Sequence, residues 1–230
     1  SMAGSETVIL LVESDAVICT EMRRMLRESG HRVVCCEHSQ SVIDQATSLR
    51  PDLVIIDTSH TNGNGLALCR QLRPQLDRPM MIVSGKSTED TELEALESGA
   101  DEFLELSARP RVMLARINAL LSRAVRISNL PQRIRLSSMT IDASQQGVRM
   151  GETLIPLTSG EFDLLWMLAE QAGKVLPREQ VFRQLRGFDY NGFDRAIDIR
   201  IARLRRKLGD NGKRPVLIHS SRGVGYMLSP

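Results

Sequence analysis

The sequence predicts an α/β chain: a doubly wound, five-stranded parallel sheet in the first half, then a smaller unit of short strands and three helices. Three observations carry this. Between Thr7 and Ser122, short apolar runs alternate five times with stretches of helical period. The second half instead opens with short strand-like pieces, passes through helical stretches and closes on two β-runs. The charge also changes sign. Residues 1–121 hold 12 Lys and Arg against 18 Asp and Glu, a net −6, whereas residues 122–230 hold 18 against 10, a net +8. An acidic half joined to a basic half suggests that only the second meets a polyanion. At 230 residues the chain is long enough for two cores, and the expected boundaries are 6–122, a linker at 123–132, and 133–230.

No apolar run approaches the roughly 20 residues that span a bilayer. No basic, apolar, small-residue pattern opens the chain, so the expected location is the cytoplasm, away from membranes. Cys19, Cys35, Cys36 and Cys69 show no CxxC spacing and read as reduced, mostly buried thiols. Nothing else in the sequence supports a redox role for the adjacent Cys35 and Cys36.

VILLV at 8–12 is a continuous apolar run, as expected for a strand covered on both faces. Asp15 is placed to cap a helix whose Ile18, Met22, Met25 and Leu26 fall at helical spacing before Gly30. RVVCC at 32–36 is a second strand, followed by a helix near 39–48. DLVII at 52–56 is a third, with a helix over 65–73. MMIV at 80–83 is a fourth, with a helix over 88–98. EFLEL at 102–106 is a fifth, and a last helix runs over 110–122. Strict alternation implies right-handed crossovers with helices on both faces. Chemistry in such a sheet sits past the carboxyl ends of the strands. Those ends carry Glu13, Asp57, Ser84 and Leu106. Glu13 and Asp57 either cap helices or converge on a hard divalent cation such as Mg²⁺.

The linker, RAVRISNLPQ, mixes charge, Asn and Pro without a clean apolar period. Beyond it, 134–136, 140–142, 147–150 and 152–156 read as short strands separated by Ser, Gly and Asp turns. Thr158 with Glu161 three residues on forms a capping box. It opens a helix that buries Phe162, Leu165, Trp166, Leu168 and Ala169 and ends at Gly173. Pro177 opens a second helix, closed by Gly187. FDYNGF at 188–193 is a loop. In DRAIDIRIARLRRKL at 194–208, Ile197, Ile201, Leu204 and Leu208 form an apolar stripe. Arg200, Arg203 and Lys207 repeat the same steps on a second face, flanked by Arg195, Arg205 and Arg206, with Asp198 the only acid from Arg195 to Lys207. Such a face suits a DNA major groove, where arginine pairs with guanine edges or holds phosphate. VLIHS and VGYML then flank a Ser221-Arg222-Gly223 turn, a hairpin offering one guanidinium to a neighbouring minor groove.

The motifs LVESD, PDLVIID at 51–57, Gly65, IVSG at 82–85 and GADEFL at 99–104 resemble the receiver domain of two-component response regulators, over essentially all of 6–122. That resemblance implies Asp57 as phosphoacceptor, Ser84 and Phe103 as switch residues, and Mg²⁺ at Glu13, Asp57 and the Ser59 carbonyl. It also implies a sensor histidine kinase as phosphodonor and a homodimer through the receiver, with Asp101 and Arg116 in the salt-bridge network of the interface; Leu93, Leu96 and Val112 offer that interface an apolar patch. The chain departs from the family's pattern. Ser14 stands where the family has a second acidic metal ligand, Leu106-Ser107 replaces lysine-proline, and His60-Thr61-Asn62 replaces the proline-containing loop. Phosphoryl transfer depends on neutralising the equatorial oxygens, so Mg²⁺ binding is expected to be weak and the domain to work largely without phosphorylation. An ordinary regulator switched at Asp57 is the alternative, with Asp15 as a substitute ligand.

LTSGEFDLLWML, RAIDIRIARLRRKL and RGVGY at 222–226 resemble the winged-helix, helix-turn-helix-type DNA-binding domain of OmpR/PhoB-type regulators, with the 184–198 stretch closest to its RstA-like branch. This implies double-stranded DNA as partner. Arg195 and Arg203 would touch phosphates, Arg200, Ala202 and Arg203 would face bases, Lys207 would lie on the basic face, Arg222 would enter the minor groove and Tyr226 would hold backbone. Loop 188–193 would either contact RNA polymerase or pack against the first helix. The reading is of a transcription factor, not an enzyme, on direct-repeat sites. A flavodoxin-like enzyme with a basic appendage is the reading from another class, and it lacks a Gly-rich loop after strand one, where Glu13-Ser14-Asp15-Ala16 stand.

Overall fold

Five of the apolar runs lie side by side. β1 (Val8–Val12), β2 (Arg32–Cys36), β3 (Leu53–Asp57), β4 (Met80–Ser84) and β5 (Glu102–Glu105) form one parallel sheet in the order β2-β1-β3-β4-β5. Between them run α1 (Ala16–Glu28), α2 (Ser41–Leu49), α3 (Gly65–Leu72) with a 3-10 turn (Arg73–Gln75), and α4 (Glu89–Glu97), and α5 (Pro110–Leu121) closes the unit. The computed structural model describes residues 6–37, 41–59, 64–85, 88–107, 110–122, 130–186 and 196–230. The chain divides into two units, 1–123 and 124–230.

The strands are apolar at consecutive positions because alternate side chains enter different layers. Ile9, Leu11, Val33, Ile55, Met81 and Val83 point to one face, where Met22 and Leu26 of α1 and Met113 and Ile117 of α5 cover them. Leu10, Val12, Val54, Ile56, Met80 and Ile82 point to the other, beneath Val42 of α2, Leu68 and Leu72 of α3 and Ala95 of α4. Burying each such side chain contributes roughly 1.5–3 kcal/mol. Asp15 caps α1 as expected, accepting from the amides of Val17 at 2.9 Å and Ile18 at 3.0 Å. The third strand sits one residue later than the sequence suggests. Asp52 stays outside because its carboxylate accepts the Val8 amide at 2.8 Å. Asp57 joins the strand's end opposite Val83.

In the second unit, β6 (Arg133–Arg135), β7 (Thr140–Asp142), β8 (Gly147–Met150) and β9 (Thr153–Pro156) form an antiparallel sheet in sequential order. α6 (Ser159–Glu170) starts at the Thr158–Glu161 capping box. Then come β10 (Leu176–Pro177), α7 (Arg178–Arg186), α8 (Ala196–Leu208), β11 (Ile218–Ser221) and β12 (Gly225–Leu228). Pro177 does not open α7. It belongs to β10, which pairs with β12 through Leu176–Tyr226 and Pro177–Gly225. The hairpin therefore becomes a three-stranded sheet, β10-β12-β11, and the edge position tolerates a proline without an amide proton. Phe162, Leu165 and Trp166 of α6, Phe182 of α7, and Ile197, Ile201, Leu204 and Leu208 of α8 share one core with Ile218 and Leu228. Phe162 and Trp166 stack with centroids 5.5 Å apart. Among the described residues no helix is long and apolar enough to cross a membrane.

Gly225 lets β10 reach β12. A Cβ there would lie 1.8 Å from the Leu176 carbonyl oxygen. Gly225→Ala should therefore destabilise this unit by about 3 kcal/mol. Urea unfolding followed by the fluorescence of Trp166, the chain's one tryptophan, checks this.

Candidate functional site

Helix α8 is amphipathic, and its four stripe residues are at most 5% exposed. The outward arc is not the expected row. Arg200 is only 8% exposed and engaged within the chain, so it does not stand ready for a base edge. It lies three residues after Ile197 and four before Leu204, which places it on the inner half of the helix. Ala202 and Arg206 are exposed, with Ile199 and Arg203 half-buried beside them. Lys207 is near the surface, and its ammonium pairs with Glu161 at 2.6 Å. Arg205 turns toward the hairpin and donates to the Ile218 carbonyl at 2.7 and 3.2 Å and to the Ser220 hydroxyl at 2.9 Å. Arg195 and loop 188–193 lie outside the described residues.

Asp198, the lone acid of this helix, accepts hydrogen bonds from the Tyr226 hydroxyl and the Arg178 guanidinium. Tyr226 is 8% exposed, so its hydroxyl serves the fold rather than a DNA backbone. Burial first, then the hydrogen bond to Asp198, push the phenol well above its ordinary range, and it stays a donor at any working pH. Sequence reasoning missed Arg178 and Asp198 as a brace, although a single acid in a cationic run was the available signal. It likewise treated Arg206 as a flank and passed over Ile199.

At the hairpin tip, Arg222 and Val224 are exposed. The Val224 amide closes the turn on the Ser221 carbonyl at 2.9 Å, and Gly223 supplies φ 74°. The segment entering β11 is clamped by Asp210. One carboxylate oxygen accepts the amides of Val216 at 2.8 Å and Leu217 at 3.2 Å, and the other accepts Ile218 at 2.8 Å. Burial alone would raise the Asp210 pKa, but the three amides and the Arg205 charge outweigh it and hold the carboxyl below its ordinary value.

The acidic pocket lies at the carboxyl ends of β1 and β3. Glu13 and Asp57 are buried, and Ser84 and Phe103 are at most 9% exposed. Asp57 accepts from the Ser59 amide at 2.8 Å and the Ser59 hydroxyl at 2.6 Å, both on one oxygen. Glu13 accepts the Asp15 amide at 3.0 Å, while the Asp15 carboxylate is committed to capping α1. Ser14 is exposed. The Leu106 amide donates to the Ser84 carbonyl at 2.7 Å, and its side chain packs on the α1–α5 core, where no ammonium can form. Mg²⁺ demands near-octahedral oxygen donors. Among the described residues no group of three or more His, Cys, Asp or Glu is placed to share an ion. Loop 60–62 lies outside the described residues.

Of the expected dimer residues, Asp101 and Leu96 turn inward. Asp101 is 5% exposed and accepts from Arg73 at 3.0 Å and from the Met80 amide at 2.9 Å. Arg116 pairs with Glu102 at 3.0 Å. Leu96 is 2% exposed, so of the apolar patch Val112 is exposed and Leu93 half-buried.

Comparison with known proteins agrees with this two-part geometry. Residues 9–118 match the family described as response regulator receiver domain, and residues 151–228 match that described as transcriptional regulatory protein, C terminal. The chain is 30% identical to the transcriptional regulatory protein RstA of Escherichia coli K12 over 96% of this chain and 97% of RstA. It is 33% identical to the response regulator MprA of Mycobacterium tuberculosis H37Rv over 96% of each chain. A solved structure of a RitR mutant superposes with a TM-score of 0.77 at 26% identity, covering 97% of this chain and 99% of the other.

The Asp210 clamp sets an acid limit for the second unit. Its depressed carboxyl stabilises the fold above the unfolded value of about 3.9, and that contribution disappears as pH falls through the lower folded value. Asp210→Asn should cost about 1–2 kcal/mol at pH 7 and flatten the stability loss below pH 4. Denaturant titrations across pH 2–7 measure both.

Proposed function

The chain belongs to the OmpR/PhoB-type response regulators, with a receiver domain followed by a DNA-binding transcriptional domain and no enzymatic role, and we propose that it binds duplex DNA through the outward arc of α8 while its receiver acts with weak phosphorylation or none. The supporting observation is that Ala202 and Arg206 stand exposed beside Ile199 and Arg203 on a helix whose opposite face is core. The guanidiniums of Arg203 and Arg206 suit phosphate oxygens or guanine edges, and the methyl groups of Ile199 and Ala202 suit thymine methyls. Arg222 at the hairpin tip is suited to a minor groove. Arg195 and loop 188–193 keep their proposed roles toward phosphate and RNA polymerase by resemblance alone.

Two copies on direct repeats about one helical turn apart remain the proposed binding mode. The receiver interface would use the surface around Leu93 and Val112 rather than Asp101. A sensor histidine kinase is the proposed phosphodonor for whatever phosphorylation Asp57 retains. The reduced pocket has a cost. Losing one charge-stabilising donor raises a barrier by roughly 3 kcal/mol, about two orders of magnitude in rate, and this pocket departs from the family's pattern at both an acid and an ammonium.

Arg206→Ala should weaken binding to every duplex and lower the slope of log affinity against log salt by about one, as read by fluorescence anisotropy at several salt concentrations. The same measurement tests the reading as a whole: a salt-insensitive or undetectable affinity of the intact chain for duplex DNA would sink it. For the receiver, beryllofluoride with millimolar Mg²⁺ should give no saturable change in NMR spectra. A saturable change abolished by Asp57→Ala would restore the ordinary phosphorylation switch.

A further inference from the structure

We propose that Cys19 and Cys35 form a redox-closable pair, in which hydrogen peroxide converts the two thiols into an intramolecular disulfide that staples α1 to the edge strand β2. Their sulfur atoms lie 2.7 Å apart, with the Cys19 thiol donating to Cys35. A disulfide requires about 2.05 Å, so closure needs a further approach of only about 0.65 Å. The placement follows from the two periods. Cys19, Met22 and Leu26 share one stripe of α1 at steps of three and four. Cys35 alternates with Val33 on the sheet face that this stripe covers. Cys36 points to the opposite layer, which also holds Cys69. The sequence neighbour of Cys35 is therefore the wrong partner, and the right one is 16 residues away.

Both thiols are half-buried, within reach of a small oxidant. One of them, as thiolate, attacks the peroxide oxygen. The O–O bond breaks, and hydroxide leaves as water after protonation, giving a sulfenic acid. The other sulfur attacks that sulfenic sulfur, the S–O bond breaks and a second water departs. Two thiols lose two electrons and two protons, and one peroxide becomes two waters. Burial, then the hydrogen bond with Cys35, push the Cys19 thiol up to about 11, which slows the first step at neutral pH. Once a sulfenic acid forms, the neighbouring sulfur outcompetes a second peroxide. The signature is slow closure without over-oxidation.

The staple bears on the pocket. The Cys19 amide donates to the Asp15 carbonyl at 2.9 Å, one turn from the α1 cap and the Asp15 amide that Glu13 holds. β2 is at the sheet's edge and pairs with β1. A covalent link there would fix the β1–α1 turn from the outside, giving the receiver an input that does not pass through Asp57. The pair stands independently of the DNA-binding reading.

The test uses the full chain, reduced, freed of reductant and exposed to millimolar hydrogen peroxide. It is then alkylated and digested for non-reducing mass spectrometry. The expected product is a Cys19–Cys35 linked peptide, two hydrogens lighter, reversed by dithiothreitol. It should persist in Cys36→Ser/Cys69→Ser and vanish in Cys19→Ser. The oxidised receiver should melt roughly 5 °C or more above the reduced one, since a closed loop restricts the unfolded chain. Continued alkylation of both thiols, conversion to sulfinic acid, or links through Cys36 or between chains would overturn the proposal. A linked pair with an unchanged melting temperature would overturn the stapling.

Discussion

Asp198 accepts from the Tyr226 hydroxyl and the Arg178 guanidinium, so α7, α8 and β12 meet on one carboxylate. The geometry of the second unit depends on this junction. A helix with arginine or lysine at five of its thirteen positions repels itself unless some of that charge is answered locally. The answers are unevenly distributed. Glu161 takes Lys207, the Ile218 carbonyl takes Arg205, and Arg200 is buried. The cations that remain toward solvent are those the core does not use. Half-buried charge pairs of this sort contribute little net stability, but they fix which way a helix is rolled.

Roll matters because a groove-binding helix is read through its outward arc. The hydrogen bonds from Arg205 to β11, together with the Asp210 clamp on Val216, Leu217 and Ile218, set the hairpin at a fixed place beside α8. Arg222 is carried by that rigid frame rather than by a loose loop.

The receiver presents the opposite situation. Its sheet is regular, with β1, β3 and β4 nearly inaccessible, and its polar end buries Glu13 and Asp57. Asp57 accepts from Ser59, and Glu13 from the Asp15 amide. Fold and pocket are separable here: the layers need only apolar alternation, and Ser14 and Leu106 stand at positions that alternation does not constrain. The same layering that hides the strands also delivers Cys19 and Cys35 to each other at the sheet's edge.

The amino-acid order alone determined the periods: five continuous apolar runs for a sheet covered on both faces, the Asp15 cap, the Thr158–Glu161 box, and the Ile197–Leu208 stripe. These are local signals, set by residue type and spacing along one element. It also carried the basic row on the 194–208 helix, the acids Glu13 and Asp57 at strand ends, and the resemblance that implies Asp57 as phosphoacceptor. Tertiary structure alone decided which cations face outward, that Tyr226 and Asp101 turn inward, that Pro177 pairs in a sheet, and that Cys35 meets Cys19. The physical reason is common to all four. A residue at the margin of a stripe can face either way, and only what packs against it from a distant part of the chain settles the choice.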